Sequence, residues 1–112
     1  MEVKAITRNV RISASKGRDL ARAVKGKSLA DALKITDFSP RKAAALLAKT
    51  LRSAAANASH NFGLDQDTLF VAKCVFDEGP SMRRYWTGAR GSAKPIEKQT
   101  SHITVVLKEM EG

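Results

Sequence analysis

The sequence predicts an α+β domain, on three observations. Helical periodicity recurs in three segments before residue 63, each bounded by capping residues. β-branched and aromatic runs follow at residues 69–76 and 102–107, and a looser alternation opens the chain. Between the two later runs lies a basic stretch, residues 77–101, too long for an ordinary hairpin loop. No internal repeat or linker divides the 112 residues, so one domain spanning 1–112 is expected.

Residues 3–12 place Val3, Ile6, Val10 and Ile12 as the apolar positions of a strand or extended arm, with Lys4, Arg8 and Arg11 exposed. Ser13 is placed to cap a first helix, on which Gly17, Leu20, Ala21 and Val24 share one face. Gly26 stops that helix, because glycine enters the left-handed region without strain. Ser28 with Asp31 resembles a capping box and opens a short second helix, ended by Asp37 and Phe38. Ser39-Pro40 marks a third start, with proline expected at the first helical position, where no N–H is needed. Ala43, Leu46, Leu47, Thr50, Leu51, Ala54 and Ala58 then keep a 3.6-residue period to Asn61 and Gly63. Leu64 is a candidate anchor in the acidic loop that carries Asp65 and Asp67. In Leu69–Phe76, strict alternation puts Phe70, Ala72, Cys74 and Phe76 on one face. His102–Leu107 is the strongest short β segment, and residues 77–101 read as an extended two-stranded ribbon.

The net charge is +9, unevenly distributed. Residues 1–60 carry thirteen basic and four acidic side chains, and residues 80–108 carry six basic and one acidic, with an acidic segment between them. Two basic surfaces on one small domain suit a polyanion. No basic helix has an aromatic apolar face, so a membrane surface is not the expected partner. No apolar run approaches a membrane span, and the first residues lack the apolar segment of a secretory signal, so a cytoplasmic location is expected.

Catalysis is poorly supported, and no cofactor or metal is expected. Ser101 and His102 are adjacent on a strand and so face opposite ways, which removes a Ser–His nucleophile pair. A single cysteine, Cys74, excludes a disulfide framework and a multi-cysteine zinc site, and its apolar neighbours predict a buried thiol. Pro80–His102, in contrast, interleaves Arg83, Arg84, Arg90, Lys94 and Lys98 with Tyr85 and Trp86. Guanidinium groups bind phosphates and aromatic faces stack on bases, so this stretch is the first RNA-binding candidate.

Asp77–Arg84 (DEGPSMRR), Gly88–Ala93 (GARGSA) and Thr100–Leu107 (TSHITVVL) together resemble the bacterial large-subunit ribosomal protein twenty-two family. The likeness extends to Asn9–Ser13, Gly26–Leu33 and Ala56–Asn61 and covers nearly the whole chain in order. It implies three helices packed on a small antiparallel sheet, with a long protruding β-hairpin over residues 77–101. It implies a non-enzymatic constituent of the large ribosomal subunit. Its partners would be large-subunit ribosomal RNA, neighbouring ribosomal proteins and, near the hairpin tip in the peptide exit tunnel, the nascent peptide. The RNA-contacting segments of the family fall on Arg11, Ser13, Lys16, Arg18, Arg41, Lys42, Asn57 and His60. On the hairpin they fall on Arg83, Arg84, Arg90, Lys94, Lys98, Ser101 and His102, beside Tyr85 and Trp86. The chain departs from the family pattern at Ala14, where proline is usual, and in a tip poorer in arginine. A free-standing RNA-binding regulator on the same fold is the alternative, distinguished by its absence from ribosomal particles.

Overall fold

The computed structural model describes residues 2–79, 82–87 and 93–110, with side chains over 2–79 and 99–110. Three strands, β1 (Glu2–Val10), β2 (Leu69–Glu78) and β5 (Ser101–Glu109), form an antiparallel sheet in the order β1-β5-β2. Three helices, α1 (Ala14–Val24), α2 (Leu29–Asp37) and α3 (Lys42–Phe62), pack with it. α1 lies over β2, α3 lies over β1 and β5, and α2 rests on α3. β3 (Met82–Thr87) and β4 (Ala93–Lys98) pair with each other in a separate two-stranded sheet. The radius of gyration is 17.0 Å, against about 13 Å for a compact chain of this length. The longest dimension is 67 Å, about twice the ~32 Å length of a helix such as α3. The fold is α+β.

The core forms where one face of the sheet meets the helices. Val3 and Ala5 from β1, Leu69, Val71, Cys74 and Phe76 from β2, and Ile103, Val105 and Leu107 from β5 are all buried. They meet Leu20 and Val24 of α1, Leu29 and Ala32 of α2, and Ala44, Leu47, Leu51, Ala54 and Ala58 of α3. The alanines of α3 keep its side chains short, which lets the helix settle close to the strands. Gly17 plays the same part on α1. A Cβ built there would collide with the Phe76 ring, so the glycine admits the ring against the helix.

Two strands depart from strict alternation. In β2 the pairing with β5 shifts between Val71 and Lys73. This bulge reverses the faces: Leu69 and Val71 are buried before it, Cys74 and Phe76 after it, while Phe70 and Ala72 are only half-buried. The expected single face of Phe70, Ala72, Cys74 and Phe76 is therefore corrected. In β1 a second shift lies between Thr7 and Val10 and contains Asn9 at φ 57°, in the left-handed region that asparagine tolerates. Val3, Ala5 and Val10 face the core, and Ile6, expected inside, is 40% exposed.

The helix boundaries follow their caps. Gly26 and Gly63 take positive φ just beyond α1 and α3. The Ser28 hydroxyl accepts the Asp31 N–H at 3.2 Å, as a capping box would. Pro40 lies outside α3, whose N-cap is Arg41, so the helix begins two residues later than the proline signal suggests.

Gly17→Ala should destabilise the protein by about 1–3 kcal/mol, the usual cost of overpacking a core. Leu47→Ala or Leu51→Ala should cost roughly 2–5 kcal/mol, because each leaves a cavity under α3. Chemical denaturation would measure both, and an unchanged midpoint for Gly17→Ala would mean that the α1–Phe76 contact is loose.

Candidate nucleic-acid interface

The starts of α1 and α3 lie side by side at one end of the helical layer. Arg41, the N-cap of α3, reaches across to α1. Its Nη1 donates to Asp19 Oδ2 at 2.7 Å and its Nη2 to Asp19 Oδ1 at 3.0 Å, a two-pronged ion pair. Nη2 also donates to the Lys16 carbonyl. Lys42 Nζ donates to the Arg11 carbonyl at 3.0 Å, tying the first turn of α3 to the chain entering α1. Ile12, Lys16, Arg41, Lys42 and Ala43 line a shallow depression of about 290 Å³ between these elements. The Arg41 guanidinium lowers the Asp19 pKa below the usual carboxylate value, and Asp19 raises that of Arg41.

Neither helix start carries a local counter-charge on its own helix. Neither Ser13 nor Arg41 makes a side-chain cap to its helix, and neither first turn carries an acid. α2 differs, with the Ser28 cap and Asp31 in its first turn. The positive ends of the two helix dipoles therefore add to the charge of Lys16 and Lys42.

Four of the expected residues, Arg11, Lys16, Arg41 and Lys42, are thus exposed and meet through the contacts above, with half-buried Ser13 beside them. Arg18 is exposed further along α1 and, with Arg22, borders a depression over Phe76 and Asp77. Asn57 and His60 lie towards the far end of α3, about 22 and about 27 Å along the helix from Lys42. They belong to a different part of the surface. His102 is half-buried on β5, and its Nδ1 accepts the Asn9 N–H at 3.1 Å, which joins the β1 bulge to the base of the ribbon.

Ser101 requires a correction. It is fully buried on the face of β5 shared with Ile103, Val105 and Leu107, so its side chain does not reach a surface ligand. Strand alternation, which separates it from His102, turns it inward. Arg83, Arg84, Tyr85 and Trp86 lie on β3 and Lys94 and Lys98 on β4, with backbone pairs Arg83–Glu97, Trp86–Lys94 and Met82–Lys98. Their side chains, and Arg90 entirely, lie outside the described residues.

Two features were not anticipated from sequence. Lys4, Lys25, Lys73 and Lys108 surround a depression of about 590 Å³ on the outer face of the sheet, a grouping visible only once register is known. Asp19, the partner of Arg41, lies 22 residues before it and carries no local signal.

A basic α+β surface of this kind, with charge gathered at two helix starts, suits a polyanionic partner. The profile of the family described as ribosomal protein L22p/L17e matches residues 5–108. A large ribosomal subunit protein uL22 from Akkermansia muciniphila is 53% identical over 112 residues, the full length of both chains. One from Thermoanaerobacter sp. is 49% identical over 99% of this chain and 100% of its own. One from Thermotoga sp. is 47% identical over 97% of this chain and 69% of its own. The chain belongs to the L22p/L17e ribosomal protein family, and it is not an enzyme.

Cys74 fits a structural role. Burial raises its thiol pKa to about 12, with desolvation of the thiolate as the cause. At pH 8 a thiol reagent should label the folded protein far more slowly than the denatured one, because only thiolate reacts. Above the ordinary thiol pKa the unfolded state releases this proton first, so stability should fall as pH rises from about 9 towards 12. Labelling as fast in buffer as in denaturant would refute the buried thiol.

Proposed function

We propose that the protein is a structural constituent of the large ribosomal subunit in the cytoplasm, where it binds large-subunit ribosomal RNA and supports its assembly. The observation that carries this reading is the convergence of Arg11, Lys16, Arg41 and Lys42 on two uncapped helix starts. Such a surface suits phosphate groups, which need positive charge and convergent N–H donors. Lys42 uses one ammonium hydrogen on the Arg11 carbonyl, leaving the others for phosphate. The likeness to named large-subunit proteins supports the subunit assignment.

The β3–β4 ribbon, with its dense basic and aromatic sequence, is the segment we assign to the wall of the peptide exit tunnel, near the nascent peptide. Asn57 and His60, at the other end of α3, serve a second RNA segment. Neighbouring ribosomal proteins complete the set of partners.

Binding that neutralises six to ten phosphates should lose on the order of a thousandfold in affinity between ~50 and ~200 mM salt. Lys16→Ala and Lys42→Ala should each reduce the slope of log affinity against log salt by about one. Filter binding to a large-subunit ribosomal RNA transcript measures both. The tagged protein should also sediment with the large subunit after a moderate salt wash; recovery only in the particle-free fraction would point to a free-standing regulator.

A further inference from the structure

Asp19 is an acid placed in the middle of a basic surface. It stands one helical turn from Lys16, and Arg41 lies directly against it. By charge alone it weakens any polyanion binding there. Its geometry points the other way. Both Asp19 oxygens are taken by Arg41, one at 2.7 Å and the other at 3.0 Å, and the same guanidinium holds the Lys16 carbonyl. The two-pronged edge with which arginine grips a phosphate is therefore already occupied by a carboxylate. Arg41 cannot present that edge to RNA without releasing Asp19 and, with it, the bridge between the starts of α1 and α3.

We propose that Asp19 is a positioning residue of the RNA surface, locking Arg41 so that the starts of α1 and α3 and the ammonium groups of Lys16 and Lys42 are held at a fixed spacing. This rests on the reading of that surface as the RNA interface. Arg41 then acts as a strut and not as a phosphate contact. Alone among the basic residues there, it makes both of its contacts to α1 through its guanidinium. The pair is exposed on both sides, so its contribution to global stability is small. Its effect falls on local geometry, where Ile12, Lys16, Arg41, Lys42 and Ala43 line the depression between the two helix starts.

The test is the sign of a charge-removing substitution. Affinity of the full chain for a large-subunit ribosomal RNA transcript is measured across a salt series, and thermal melts confirm that each variant is folded. Asp19→Asn, which removes a negative charge, should weaken binding by about threefold or more, whereas electrostatics alone predicts tightening. Asp19→Glu keeps a carboxylate and should retain affinity within about twofold. Arg41→Ala should weaken binding as Asp19→Asn does, yet leave the salt slope unchanged, because a strut releases no counterion. The double variant should bind no worse than either single variant, since both remove one interaction.

Tighter or unchanged binding by Asp19→Asn would overturn the proposal. So would a drop of about 0.9 in the slope for Arg41→Ala, which would make Arg41 a phosphate contact. Lys16→Ala and Lys42→Ala separate the two levels. If they weaken binding while Asp19→Asn tightens it, the interface stands and the positioning role falls. If neither changes affinity, the surface is not the interface, and both ideas fail together.

Discussion

Three strands bury one face only, and that face has to hold three helices. The sheet is too narrow for all of them to lie flat on it, so α1 takes β2, α3 takes β1 and β5, and α2 is left to pack mainly on α3. The solution depends on small side chains at the contacts. Ala44, Ala54 and Ala58 let α3 approach the sheet, and Gly17 lets α1 accept the Phe76 ring. Close packing at these points fixes how the body of each helix lies on the sheet.

The bulges serve the same arrangement. A strand with strict alternation would place Phe70 and Ala72 inside together with Cys74 and Phe76. The shift at Val71/Lys73 instead lets β2 bury Leu69 and Val71 near α2 and Phe76 near α1. The shift near Asn9 lies just before the chain enters α1, and His102 accepts the Asn9 N–H there. Arg11 follows in the chain, and its carbonyl is held by Lys42. Backbone irregularity in the sheet is thus coupled to the position of charge on the helices.

Electrostatic character follows from what is missing at the helix starts as much as from what is present. α1 and α3 carry no first-turn acid and no side-chain cap, whereas α2, which takes no part in the surface, has both. A cap would satisfy a terminal N–H group and a first-turn carboxylate would offset the dipole; without them the positive dipole ends are not offset by the helices' own side chains. The carboxylate that does occur nearby, Asp19, is one turn further along and is bound to Arg41. Membership of a ribosomal protein family is consistent with a surface designed this way.

The sequence by itself determined the α+β class, the three helices, the two later strands and the basic character of the chain. These depend on local periodicity, capping residues and charge, which neighbours along the chain can specify. Ser28 and Asp31, Gly26 and Gly63, and the period of Leu47, Leu51, Ala54 and Ala58 were legible for that reason. Tertiary structure alone decided the rest. A bulge is a mismatch between two strands, so neither β1 nor β2 announces it, and each bulge reverses which residues are buried. The inward turn of Ser101 follows from the register of β5 against both neighbours. Arg41 reads as one more surface arginine until the folded chain brings Asp19 to it across 22 positions. Contacts between distant residues have no local pattern to betray them, and the fine geometry of the candidate site consists almost wholly of such contacts.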